Sequence, residues 1–120
     1  MEPTWHTLPD YLIETFPELK ADIEESYFGW ISAVANPYPH FFLDEYLAPI
    51  LIGTGPLTDA DARTKAGVVL DQLLTSTDED LAAAALTSIL ECLRDEHELC
   101  AKTWPYLGST AREWLERLKA

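Results

Sequence analysis

Residues 58–94 read TDADARTKAGVVLDQLLTSTDEDLAAAALTSILECLR, and their spacing decides the fold. Ala62, Ala66, Val69, Leu70 and Leu73 recur every three or four residues, one apolar stripe of a helix. Thr58 is expected to cap its start, with Asp59 and Asp61 where the helix dipole favours negative charge. Thr77 is expected to cap a second helix, whose first turn carries Asp78, Glu79 and Asp80. Leu81, Ala84, Ala85, Leu86, Ile89 and Leu93 form the second stripe, and the alanine run lets a neighbour approach closely. The connection is short, as in an antiparallel helical hairpin. Such a pair could be one unit of an α-solenoid, but no second copy with matching spacing follows, so repeats are not read.

The same signals extend outward in both directions. Thr15-Phe16-Pro17-Glu18 reads as a capping box, with Thr15 as N-cap and Glu18 returning to its backbone. Leu19, Ile23, Tyr27 and Trp30 continue that helix on one face. A shorter helix from about Pro9 is expected to precede it and to bury Leu12, Ile13 and Phe16. Residues 36–55 are less regular, with Pro37, Pro39, Pro49, Gly53 and Gly55. They predict a turn at 36–39, then a helix over about 41–52 bent or started near Pro49. Beyond the hairpin, Asp95 is expected to restart a short helix that ends near Trp104-Pro105. Gly108-Ser109 opens a last helix, with Ser109 as its cap and Leu107, Ala111, Trp114 and Leu118 on one side. Strand signals are weak. The chain predicts an all-α fold: a single domain over residues 1–120, a helical bundle or a short stack of antiparallel hairpins of about six helices.

Composition narrows the function. The chain has 120 residues, 48% of them hydrophobic, enough for one ordinary core. Its formal net charge is −13, and residues 1–62 hold eleven acids against a single base, Lys20. Folding alone does not call for this, since two like charges ~10 Å apart in water cost about 0.4 kcal/mol before screening. The simplest use is a negative face that meets a positive partner. Nucleic acid and anionic membrane are disfavoured as partners for the same reason. No apolar run approaches the ~20 residues of a membrane span. The start of the chain lacks a signal-peptide pattern and two cysteines make no disulfide framework, so a cytoplasmic protein is expected.

The acids separate into two kinds. Asp59, Asp61 and Asp78–Asp80 are explained by helix starts. Asp22, Glu24, Glu25, Asp44 and Glu45 lie past a first turn or beside an aromatic stretch, and these are the candidate binding residues. Tyr27, Phe28, Trp30, Tyr38, His40, Phe41, Phe42 and Tyr46 crowd the same region. Most should be core, but they cannot all face one way at helical spacing. Trp30 and Tyr38 are taken as candidate anchors, Tyr38 because it lies in the Pro-flanked turn. Cys92, His97 and Cys100 match no common zinc spacing and lack a fourth ligand. Buried cysteine in an Ala/Leu helix is the better reading, and no metal or other cofactor is expected. No Ser or Cys stands in a nucleophile context, and Gly53-Thr54-Gly55-Pro56 lacks the Lys-Ser/Thr of a phosphate loop. An enzyme is not expected.

Several segments carry a resemblance: Phe16-Pro17-Glu18-Leu19, Pro39-His40-Phe41-Phe42-Leu43-Asp44-Glu45 leading to Pro49, the Leu70–Leu74 helix, Leu86-Thr87-Ser88-Ile89-Leu90-Glu91, and Tyr106-Leu107-Gly108-Ser109-Thr110-Ala111-Arg112. In order and spacing they resemble a family of small, acidic, all-helical bacterial proteins of unassigned function, several of which look like immunity proteins encoded beside secreted toxins. That resemblance implies a helical fold and an inhibitor with no catalytic residue. The expected function is an immunity protein that binds and occludes a cognate basic toxin, a nuclease being the expected kind. The alternative is a non-catalytic helical adaptor or subunit of a cytoplasmic assembly, which could pair as a homodimer through its aromatic face.

Overall fold

From the N-terminus, the computed structural model builds α1 (Leu8–Thr15), then a 3₁₀ turn at Pro17–Leu19 that runs into α2 (Lys20–Ile31). A π-helical stretch at Leu43–Leu47 leads directly into α3 (Ala48–Ile52). The hairpin follows as α4 (Ala60–Leu74) and α5 (Glu79–Ala85), the latter continuing through a second π-helical stretch at Leu86–Leu90 into α6 (Glu91–Asp95). Next come α7 (His97–Thr103), a 3₁₀ turn at Trp104–Tyr106, and α8 (Ser109–Lys119). The structure describes residues 3–5, 7–31, 42–55 and 57–119, with the backbone alone at 26–31 and 119. Among the described residues there is no strand, and the fold is all-α. The expected turn at 36–39 lies outside the described residues.

The apolar stripes read from spacing are the core. Leu12, Phe16, Leu19 and Ile23 are buried beneath α1 and α2, while Ile13 is half-buried. Ala62, Ala66, Val69, Leu70 and Leu73 of α4 are buried, as are Leu81, Ala84, Ala85, Ile89 and Leu93 of the helix it faces. Leu86 is only half-buried, and Leu90 is fully buried instead. The π-helical turn explains the shift. An unbroken α-helix from Leu81 would bury positions 88 and 92, but one extra residue in the turn moves the buried face to Ile89 and Leu93. Cys92 therefore faces out, against the expectation that both cysteines are buried, while Cys100 is buried. In α8, Leu115 is fully buried between the half-buried Trp114 and Leu118.

Helix starts are where expectation and structure part. Thr15 does not cap α2: it ends α1, and its hydroxyl donates to the Tyr11 carbonyl at 3.0 Å. Phe16 has left the helical region (φ −126°, ψ 79°) because it precedes proline, so no capping box with Glu18 forms. Thr58 and Thr77 each yield to the aspartate that follows. Asp59 accepts from the Ala62 amide at 3.2 Å and Asp78 from the Leu81 amide at 3.3 Å, since a charged acceptor does better at the positive end of a helix. Asp78 also accepts from the Trp5 amide at 2.7 Å, and the Ser76 hydroxyl donates to the Pro3 carbonyl at 3.0 Å, which ties the N-terminal segment to the hairpin turn. Asp95 starts no helix. It ends α6 and takes a 2.9 Å hydrogen bond from Arg94, while Glu96 forms the break without a side-chain cap.

Ser109 is not the cap of α8 either. Thr110 and Ala111 donate their amides to the two carboxylate oxygens of Asp71 at 3.3 and 3.0 Å. These are the second and third amides of the helix, the ones an N-cap side chain would serve. The acceptor comes from α4, and Gly108, at the N-cap position, leaves it room: a methyl there would strike the Asp71 carboxylate. One turn earlier on α4, Gly67 lies so close to the chain at Tyr106 that a methyl would collide with the Tyr106 carbonyl oxygen. A further turn earlier, the Arg63 guanidinium stacks over the Tyr106 ring at 3.9 Å and its Nε donates to the Leu51 carbonyl at 3.1 Å. Arg63, Gly67 and Asp71 thus form one face of α4 that clasps the end of α3, the turn before α8, and the start of α8.

Candidate partner-binding face

Asp22 and Glu25 of α2 are exposed, and Glu24 is half-buried. Lys20 stands 4.0 Å from Glu24 across one turn, an exposed pair that contributes little to stability. Asp44 and Glu45 are exposed in the π-helical stretch before α3. Tyr46, next to them, is half-buried, and its ring packs on Phe42 one turn back at 6.2 Å between centroids. Its hydroxyl donates to the Asp22 carbonyl oxygen at 3.2 Å. That bond makes neighbours of the two helices that carry the candidate acids. Among the described residues, ion pairs join Lys20 to Glu24 and Arg94 to Asp95, and neither takes up Asp22, Glu25, Asp44 or Glu45.

The π-helical geometry has a local cause. Pro49 has no N–H to give to the carbonyl four residues back, and its ring crowds that carbonyl. The chain widens before it, and Ala48 donates to the Leu43 carbonyl five residues back. The widened turn presents Asp44 and Tyr46 in different directions. Tyr46 reaches α2, whereas Asp44 lines a groove with Ala48 and Ile52, which follow it at intervals of four. Ser88, Ile89, Cys92 and Leu93 line it from the second π-helical stretch and α6, and Leu99 of α7 completes the lining. The groove holds about 230 Å³. Its second wall follows from the other π-helical turn, which puts Cys92 outside rather than in the core.

Of the other sequence candidates, Trp30 falls within α2 but its side chain lies outside the described residues, as does the whole of Tyr38. His97 is exposed, Cys92 exposed and Cys100 buried, and among the described residues no group of three or more His, Cys, Asp or Glu side chains is placed to hold a metal ion. No helix among the described residues is long and apolar enough to cross a membrane. Among the described residues, one carboxyl and one phenol depart from their ordinary acidity. The Arg94 hydrogen bond holds the Asp95 carboxyl low, and burial, helped by nearby Glu14, pushes the Tyr11 phenol up. Neither belongs to the acidic face.

The groove was not read from sequence. Its one legible sign is Asp44 at the head of an i, i+4, i+8 series with Ala48 and Ile52, while the other wall depends on a π-helical turn that periodicity does not show. No curated protein and no solved structure matches the chain. Residues 9–120 match the family described as Domain of unknown function (DUF7674), and a match over so much of the chain establishes that the protein belongs to that family.

Proposed function

We propose that the protein is a non-catalytic inhibitor of the immunity type, binding and occluding a basic protein toxin through the acidic face of α2 and the Leu43–Leu47 stretch. The observation that carries this reading is the Tyr46–Asp22 hydrogen bond, which brings Asp22, Glu24 and Glu25 onto a helix adjoining that of Asp44 and Glu45. An acidic face of this kind speeds encounter with a basic surface and pairs with the Lys or Arg that a nuclease uses to grip phosphate. Occlusion asks no chemistry of the inhibitor. The cytoplasm suits it, where the two cysteines stay reduced. The runner-up, a helical adaptor in a larger assembly, shares the surface but needs no toxin.

The test is expression of the chain beside the gene next to its own. Rescue of growth from a toxic neighbour supports inhibition, and failure to rescue, or a neighbour without toxicity, favours the adaptor. With the partner in hand, changing Asp22, Glu24, Glu25, Asp44 and Glu45 together to Asn or Gln should slow association about tenfold or more at low salt and flatten its salt dependence. Glu113→Gln with Glu116→Gln, on exposed positions of α8, is the control and should leave the rate nearly unchanged. Equal rates and equal salt dependence for the five-fold variant and the unmodified protein would remove the acidic face from the binding site.

A further inference from the structure

The acidic face ends at a groove, and the groove has chemistry of its own. Ala48, Ile52, Ile89, Leu93 and Leu99 give it apolar walls, and Asp44, an exposed acidic residue, is among the residues that line it. At about 230 Å³ it falls below the ~300–1,000 Å³ of small-molecule and cofactor sites. It exceeds the ~150 Å³ in which an engineered apolar cavity holds a benzene ring, so it suits one large apolar side chain. A second hollow, of about 300 Å³ between α1 and α4, is walled by Tyr11, Val68 and Gln72, but its charged member is Lys65. Of these two, the first offers an apolar bed and an acidic residue together.

We infer that this groove seats an apolar side chain of the basic partner, flanked by a Lys or Arg that meets Asp44. The inference rests on the reading of an acidic protein-binding face and adds where the partner's anchor goes. Charge complementarity selects the occupant. An apolar side chain alone gains nothing from Asp44, and an acidic neighbour would be repelled by Asp44 and by the adjacent Glu45. The arrangement is that of an interface core with a charged rim: the buried anchor sets the off-rate and the carboxylate sets the register.

Cys92 makes the groove directly observable. It is exposed on the groove wall, whereas Cys100, the other cysteine of the chain, is buried, so a thiol reagent in the native protein reports on one site. The experiment follows alkylation of Cys92 by iodoacetamide in the presence of a short amphipathic helix of leucine and lysine, with binding read separately by fluorescence anisotropy. The companion peptide replaces lysine by glutamate. At about ten times its dissociation constant the leucine–lysine peptide should slow alkylation about tenfold, by simple occupancy, and the glutamate peptide should not. Asp44→Asn, an exposed change that leaves the fold alone, should weaken the first peptide about threefold, the worth of one exposed pair. If the leucine–lysine peptide binds with steep salt dependence yet Cys92 reacts at its free rate, the groove assignment falls and the acidic face stands. If neither peptide binds, both fall. Equal shielding by the glutamate peptide overturns the charge argument. Slow reaction of Cys92 in the protein alone, or slowing that grows with protein concentration, overturns the assignment in favour of the chain itself or a second copy as occupant.

Discussion

At Gly67 the sequence hides a tight steric constraint. A glycine inside a helix costs about 0.5–1 kcal/mol relative to alanine, so Gly67→Ala ought to stabilise an isolated helix. Here the added methyl meets the Tyr106 carbonyl, a backbone atom that cannot swing aside, and overpacking of this kind costs about 1–3 kcal/mol. The collision wins, and Gly67→Ala should lower the melting temperature. Asp71→Ala should cost about 0.5–2 kcal/mol, the usual loss of a helix cap, and amide exchange should quicken at Thr110 and Ala111 before it quickens elsewhere. Unchanged exchange at those two amides would show that Asp71 does not hold them. Tyr11 gives a pH-dependent check. Its phenol ionises above the ordinary 10.0 because the folded protein buries it. Sign follows from which state keeps the proton: above pH 10 the unfolded chain releases it first, so this contribution is whole below pH 10 and is lost as pH rises beyond. In Tyr11→Phe the tyrosinate absorbance that appears above the ordinary range should shrink and the alkaline loss of stability should become shallower.

For the elements, periodicity served well and capping served poorly. The stripe from Ala62 to Leu73 and the residues Leu81, Ala84 and Ala85 were legible because burial follows a 3.6-residue repeat, whereas Ile89 and Leu93, expected in the core and found there, owe their place to the π-helical turn. The helix starts were less legible because each choice rests on a single hydrogen bond. Thr58-Asp59 and Thr77-Asp78 both offer two competent caps in a row, and the charged one wins by a margin that spacing does not register. Asp71 as the cap of α8 was beyond reach, since it lies 39 residues from Thr110. The π-helical turns were equally hidden, although Pro49 gives a cause for the first. Removing that cause should show it: Pro49→Ala restores an amide at position 49, the turn should tighten toward α-helical pairing, and Asp44 should rotate relative to the groove. Slower alkylation of Cys92, or a lost Tyr46–Asp22 bond seen as a changed tyrosine environment, would record that rotation. Ile89→Ala should cost about 2–5 kcal/mol as an ordinary core truncation, and the half-buried Leu86→Ala distinctly less.

The whole molecule carries more negative charge than its fold uses. Eleven acids in residues 1–62 include two that serve helix dipoles, Asp59 and Asp61, and at least four that stand exposed on the candidate face. Crowding them opposes folding, so neutralising Asp22, Glu24, Glu25, Asp44 and Glu45 should hold or raise the melting temperature. Added salt should raise it in the unmodified protein and do so less in the variant, which calorimetry at two ionic strengths will measure. The helical class was legible from spacing. The face was legible as charge but not as shape, because only the folded chain brings Tyr46 to Asp22 and opens the groove beside Asp44. The clasp on α4 has a consequence for inheritance. Asp71 fills the space that Gly108 vacates, so position 108 cannot gain a side chain while Asp71 keeps its length. A relative that gains a side chain at 108 must shorten the one at 71 and can then supply the cap from 108 itself. A relative that keeps the aspartate must keep the glycine. Across the family the two positions should therefore exchange together, and that pairing would record the clasp in sequences whose structures have never been seen.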